Sequence, residues 1–131
     1  MLVQEIMTKK IKTISIDKTV FDACKKFQEL KLGSLVVVEE KLIVGIITER
    51  DVIEQIILEK RNPRNTRVLE IMTPNIKTIH SLSTIEEASS IMKKNNIKKL
   101  PVIYNNHLVG IITDTDISHA INIIKKSILI K

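Results

Sequence analysis

Two short stretches of this chain hold the residue types that could do chemistry. "GIITERD" runs from Gly45 to Asp51, and "GIITDTD" runs from Gly110 to Asp116, at an offset of 65 residues. A carboxylate has two acceptor oxygens, so Asp51 and Asp116 can each take both hydroxyls of a ribose diol. Thr48 and Thr113 add a hydroxyl at a predicted junction from strand end to helix start, where free N–H groups and a partial positive charge favour phosphate. Thr-x-x-Asp is also a capping box, in which hydroxyl and carboxylate satisfy backbone N–H groups of the same turn. Both readings stay open on residue type. The recurrence of the preceding "GII", which other predicted caps lack, favours a ligand. Gly45 and Gly110 mark places where another backbone can come close.

No other constellation points to chemistry. His80, His107 and His119 show no metal-ligand spacing, and His107 falls in a predicted hairpin turn. No Ser or Cys has a recognisable base partner, and Asp114 and Asp116 suit a cap and a ligand better than acid–base catalysis. Cys24, the single cysteine, sits at helical spacing with Val20, Phe27 and Leu30 and reads as a core thiol. Met7 and Met72 match across the two halves in apolar surroundings and also read as core. No catalytic residue and no metal ligand is expected.

The elements that must position the two heptapeptides are themselves duplicated. Laying Val3 to Ile53 over Val68 to Ser118 without a gap gives 19 identities in 51 positions. They cluster as "EIMT..IKTI" at the start of each copy and "VGIIT..D" at the end, an internal repeat. Thr19 with Asp22, and Thr84 with Glu87, look like capping boxes opening helices. Apolar residues at 20, 23, 24, 27 and 30, and at 85, 88, 91 and 92, follow helical spacing. "SLVVV" with "LIVGII", and "LPVIY" with "HLVGII", read as hairpins. A further helix follows each, with Val52, Ile53, Ile56 and Ile57, or Ile117, Ala120, Ile121 and Ile124, on one face. The fold class is therefore α/β of the α+β type, strand-helix-strand-strand-helix twice. Residues 1–58 form the first repeat, 59–67 a basic linker and 68–131 the second. A copy of this size buries too little surface alone, so the two are expected to pack about a pseudo-twofold axis with two clefts between them.

Composition narrows the classes further. Apolar residues make up 44% and charged residues 27%, a globular balance. No apolar run approaches the roughly 20 residues that span a bilayer, and "MLVQEIMTKK" lacks a signal-peptide core, so a cytoplasmic location without membrane partners is expected. The net charge of +6 suits phosphate-bearing ligands. It also leaves a nucleic-acid-associated protein as the alternative, with "KRNPRNTR" as its one concentrated basic run. Phe21, Phe27 and Tyr104 are the only aromatics, scant material for base stacking.

The motifs "EIMT", "GSLVVV" or "KKLPVI", and G-apolar-apolar-T-x-x-D, in order in both copies, resemble a tandem pair of CBS domains, the regulatory modules named after cystathionine β-synthase. The resemblance covers nearly the whole chain. It implies a free-standing sensor, not an enzyme, that binds adenosine-containing ligands (AMP, ADP, ATP or S-adenosylmethionine), requires no cofactor and forms a homodimer through its helices. A ligand-free dimerisation module is the further alternative, and an effector protein of unknown identity is a further expected partner. By the resemblance, the first cleft takes Ile46, Thr48, Arg50 and Asp51 with Ile76, Lys77, Thr78, Ile97, Lys98 and Pro101. The second takes Ile111, Thr113, Thr115 and Asp116 with Ile11, Lys12, Thr13, Leu32, Gly33 and Ser34. Val36 stands where the second copy has Pro101, so the two are not identical.

Overall fold

The computed structural model describes residues 1–130, with side chains to residue 128. In chain order the elements are α1 (Val3–Ile6), β1 (Thr13–Ser15), α2 (Val20–Leu30), β2 (Ser34–Glu39), β3 (Leu42–Thr48) and α3 (Glu49–Val52), which runs into a π-helical turn (Ile53–Ile57). There follow α4 (Val68–Ile71), β4 (Thr73–Pro74), β5 (Ile79–His80), α5 (Ile85–Asn95), β6 (Lys99–Tyr104), β7 (His107–Thr113) and α6 (Asp114–Ile130). The mixed α/β repeat is as expected, with the short leader helices α1 and α4 added. Each leader helix is closed by its own glutamate: Leu2 N–H donates to Glu5 Oε2 at 2.5 Å and Arg67 N–H to Glu70 Oε2 at 2.7 Å. That is why "EIMT" starts with Glu in both copies. The bond to the Arg67 N–H is also the main reason the Glu70 carboxyl lies below its ordinary range.

Two compact units result, one of residues 12–76 and one of residues 1–11 together with 77 onward. The first holds a sheet in the order β1-β2-β3-β4, with β1 parallel to β2 and the rest antiparallel. The second holds β5-β6-β7 in the same sense. There Thr8 bridges Ile111, through N–H to O contacts of 2.8 and 3.0 Å. The leader of each copy thus lies on the last strand of the other copy's hairpin: Thr73 on Ile46, Thr8 on Ile111.

Each unit has its own apolar cluster. Ile14, Val20, Ala23, Phe27, Leu35, Val37, Ile47 and Ile56 are among those filling the first, and Val3, Ile85, Ala88, Met92, Leu100, Val102 and Ile112 the second. Met72 and Met7 are half-buried against these clusters. The hairpins turn over two residues, Glu39 pairing with Leu42 and Tyr104 with His107. His107 is therefore the first residue of β7 and not a turn residue. Asn105 and Asn106 make that turn with φ of 50° and 65°, the left-handed pair that a tight hairpin requires and asparagine tolerates. In both hairpins the register shifts just ahead of the glycine, leaving Val44 and Val109 as the extra residues of a bulge.

One sequence expectation needs correction, and the two apolar stripes divide between core and surface. Thr84 caps α5 by accepting from the Glu87 N–H at 3.1 Å, but no return bond from Glu87 completes the box that Asp22 completes with Thr19. Of the apolar stripe after β3, only Val52 and Ile56 are buried, while Ile53 and Ile57 are exposed. After β7 only Ile117 and Ala120 are buried, while Ile121 and Ile124 are exposed. One helix face needs two inward rows against a short sheet, and the remaining isoleucines stand outside.

The glycines of the repeated heptapeptide have a packing reason. A Cβ at Gly45 would lie 2.6 Å from the Thr73 carbonyl oxygen and 2.9 Å from Met72 Sδ. At Gly110 it would meet Met7 Sδ, and Thr8 O at 3.1 Å. What comes close to each glycine is therefore the chain's own Met-Thr leader. Gly45→Ala should cost about 1–3 kcal/mol in thermal unfolding, as overpacking does. Gly33→Ala, which meets only the end of the Glu49 side chain at 3.3 Å, should leave the melting temperature nearly unchanged. Equal effects would contradict the close-packing reading. Asp22 supplies a pH test. Its hydrogen bonds to the Thr19 N–H and hydroxyl hold its carboxyl below the ordinary value. A depressed folded-state pKa stabilises above the unfolded carboxylate range and is lost as pH falls through the folded value. The melting-temperature gap between wild type and Asp22→Asn should be full at neutral pH and close on acidification; a gap constant down to pH 2 would contradict it.

Candidate functional site

The two Thr-x-x-Asp turns form where β3 and β7 hand over to helices. Thr48 has extended dihedrals (φ −121°, ψ 161°) and ends its strand, and its hydroxyl accepts from the Asp51 N–H at 3.1 Å. Asp51 Oδ2 in return accepts from the Thr48 N–H at 2.9 Å. Thr113 and Asp116 repeat the arrangement at 3.1 and 3.0 Å. The capping reading is thus realised in both copies, and it engages one carboxylate oxygen of each aspartate. The other, Oδ1, lies outside the cap, and all four side chains are half-buried. Each threonine hydroxyl, an acceptor in its cap, still has its own hydrogen to donate.

The helix starts offer less to an anion than expected. The Glu49 N–H donates to Gly33 O at 3.0 Å, and the Asp114 N–H donates to Lys98 O at 3.0 Å. In the second copy the Thr115 N–H is also engaged, by Asp114 Oδ1 at 2.8 Å. The first three N–H groups of α6 are therefore all bound within the protein, and phosphate there must be met by side chains. Arg50, exposed at the first copy's helix start, forms a 2.7 Å ion pair with Glu54.

The remaining expected residues divide between the units. Ile46, Thr48, Arg50, Asp51 and Ile76 fall in residues 12–76, as do Lys12, Thr13, Leu32, Gly33 and Ser34. Ile111, Thr113, Thr115, Asp116, Ile11, Lys77, Thr78, Ile97, Lys98 and Pro101 fall in the other unit. Inside the first unit Ser34 is the register partner of Thr48, and inside the second Pro101 is the partner of Ile111. Leu32 and Ile97 also pack against the apolar clusters, and Pro101 is buried. One contact was hidden from the repeat comparison. Lys26 Nζ donates to the Thr13 carbonyl at 2.7 Å, while the second copy has Ile91 at the matching position.

Other candidate groups have structural roles. Burial, and then the Glu49 charge, push the Cys24 thiol up, away from thiolate reactivity. His80 Nδ1 accepts from the Leu82 N–H at 3.0 Å and its ring meets Tyr104 edge-on at 5.6 Å. Among the described residues no cluster of three or more His, Cys, Asp or Glu could hold a metal ion. No helix there is long and apolar enough to cross a membrane. The basic run is folded onto its own unit. Arg61 pairs with Glu70 at 2.7 Å, Arg64 lies 3.9 Å over the Phe21 ring, and Thr66 is buried with its hydroxyl donating to Asn62 O at 2.8 Å. Two of its arginines are thus engaged internally, which weakens the reading of this run as a nucleic-acid surface.

Comparison with known proteins agrees with these motifs. The CBS domain family model matches residues 3–58 and again residues 68–123. The chain is 36% identical over 110 residues to the mitochondrial CBS domain-containing protein CBSX3 of Arabidopsis thaliana, covering 80% of this chain and 53% of that protein. It thus spans about half the length of that relative. A solved protein with CBS domains from Burkholderia ambifaria is 30% identical with a TM-score of 0.80, covering 92% of this chain and 93% of that one. CBSX2, solved in complex with AMP, shares the fold at 23% identity and a TM-score of 0.81, covering 95% and 98%. With two matched repeats along most of its length, the chain belongs to the CBS-domain family.

Proposed function

We propose that this chain is a regulatory binding module for adenosine-containing ligands, AMP, ADP, ATP or S-adenosylmethionine, and not an enzyme. The observation that carries this reading is the duplicated Thr–Asp turn, in which the cap engages Oδ2 and leaves Oδ1 of each aspartate for a ribose hydroxyl. The AMP complex of CBSX2, a protein of the same fold, supports the ligand class. Asp51 and Asp116 bind the diol, Thr48 and Thr113 donate hydroxyl hydrogens to phosphate or to the ribose, and half-buried aliphatic residues such as Ile46, Ile76, Ile97, Ile111 and Ile11 hold adenine. Lys12, Lys77, Lys98 and Arg50 supply positive charge; Thr13, Thr78, Thr115, Leu32, Gly33, Ser34 and Pro101 complete the two sets. Binding passes a change of population to a partner or to a second copy, since a ligand acts only through its differential affinity for two states. The module self-associates through its apolar helix faces.

Calorimetric titration with AMP, ATP, S-adenosylmethionine and a short RNA tests the ligand class. At least one adenosyl ligand should bind saturably, while RNA binding should be weak and fall steeply with salt. Tight RNA binding at physiological salt with no adenosyl ligand bound would overturn the proposal. Asp116→Asn separates cap from ligand. An amide oxygen can still accept from the Thr113 N–H, so stability should drop by less than the roughly 1 kcal/mol of a lost cap. Losing the charge-assisted diol contact should weaken binding at that turn by about 1.5–3 kcal/mol. An unchanged affinity with a lowered melting temperature would assign Asp116 to capping alone.

A further inference from the structure

The turn that leads into α5 is held by an imidazole where the first copy uses a hydroxyl. Ser15 and His80 correspond at the repeat offset of 65. Ser15 Oγ accepts from the Asp17 N–H at 3.3 Å, and His80 Nδ1 accepts from the Leu82 N–H at 3.0 Å. The backbone around them is the same, the Lys18 N–H donating to Ser15 O at 3.1 Å and the Ser83 N–H to His80 O at 3.0 Å. Each turn then receives the leader of its own unit. The Val68 N–H donates to Lys18 O at 2.9 Å; in the second unit the Val3 N–H donates to Ser83 O at 2.8 Å and the Gln4 N–H to Ser81 O at 3.0 Å. Leu2 also bridges Thr84, and the Ile85 N–H donates to Met1 O at 3.0 Å. These contacts carry Val3 into the second apolar cluster, where it is fully buried, and further along the same leader Met7 and Thr8 lie on Gly110.

We propose that His80 is a proton-sensitive latch on this leader: uptake of a proton at Nδ1 opens the turn and releases residues 1–4 from it. A hydroxyl accepts at any pH, whereas a protonated imidazole carries hydrogen on both nitrogens and has no acceptor left for the Leu82 N–H. Histidine is the side chain that changes charge between about pH 5 and 8, and His80 is exposed to solvent. The latched turn holds one proton fewer than the released one, so acidification favours release. The titratable and charged groups on the elements around the ring are Tyr104 of β6, edge-on at 5.6 Å, its register partner His107 of β7, Glu86 and Glu87 in the first turn of α5, and Glu5 of the leader, whose carboxylate accepts from the Leu2 N–H. The first copy is a control within the same chain, because its leader docks on a turn without a histidine. Since the second leader continues to Met7 and Thr8, release at its start loosens the strap on Gly110 and gives the second heptapeptide a pH dependence that the first lacks.

Amide hydrogen exchange on the full chain, corrected for intrinsic rates, reads the latch residue by residue. Between about pH 7.5 and about pH 5, protection of the Val3 and Gln4 amides should fall roughly threefold to tenfold, the range that one hydrogen bond carries, while protection of the Val68 amide stays constant. His80→Ser installs the first copy's acceptor and should keep the leader protected at both pH values. His80→Ala removes the acceptor and should give low protection at both. His107→Asn should leave the wild-type pH dependence in place. Protection of Val3 that is unchanged on acidification, or that falls together with that of Val68, overturns the latch. A pH dependence that persists in His80→Ser, or that disappears in His107→Asn, assigns the proton to another group and overturns it equally.

Discussion

The absence of a side chain at Gly45 and Gly110 is the constraint on which the other features of each unit depend. The Met-Thr leader can lie directly on β3 or β7 only because no Cβ stands between the two backbones. That contact adds the leader to the sheet, brings the half-buried methionine onto the apolar cluster and fixes the strand just ahead of its last three residues. The bulge at Val44 and Val109 immediately precedes the glycine and sets which residues after it face inward: Ile47 and Ile112 go to the core, and Thr48 and Thr113 end the strand as caps. The heptapeptide is therefore one mechanical unit, with a bulge before it, a glycine to receive the leader, a core isoleucine and a cap.

In the proposed site, structure and binding would share the same carboxylate without competing for it. Closing the cap needs one oxygen, and a diol contact needs an acceptor with remaining capacity, which an aspartate has in its second oxygen. The cap also fixes the carboxylate in place before a ligand arrives, so less side-chain freedom is lost on binding than from a free aspartate. With the N–H groups at the start of α6 engaged, the proposed phosphate contact there would fall to hydroxyls and lysines. The two turns differ here, since the first has Arg50 where the second has Thr115, whose N–H is taken by Asp114.

Much of this was legible in the residues. Periodicity located the helices from Val20 and from Ile85, β-branched runs located both hairpins, and the duplication located the Thr–Asp turns, because local patterns encode local structure. The spacing also named the cap partners Thr19 with Asp22 and Thr48 with Asp51. What it could not name were partners far apart in the chain. Nothing local marks Met7 as the neighbour of Gly110, or Lys26 as the donor to Thr13, since both contacts are made by folding rather than by spacing. The leader helices were missed because four residues are too few to show a period. Spacing groups Ile53, Ile57, Ile121 and Ile124 with buried neighbours on one apolar face, and hydrophobicity alone cannot distinguish an inward row from an outward one.

The central claim, that the capped aspartates are also the ligand contacts, is tested most directly by backbone amide chemical shifts as AMP is added to isotopically labelled protein. Saturable shifts should appear at Thr48 to Asp51 and at Thr113 to Asp116, while the amides of the hairpin turns, Glu40 and Lys41 and Asn105 and Asn106, at the opposite ends of β3 and β7, stay comparatively still. Shifts confined to other elements, or no saturable shift with any adenosyl ligand, would contradict it.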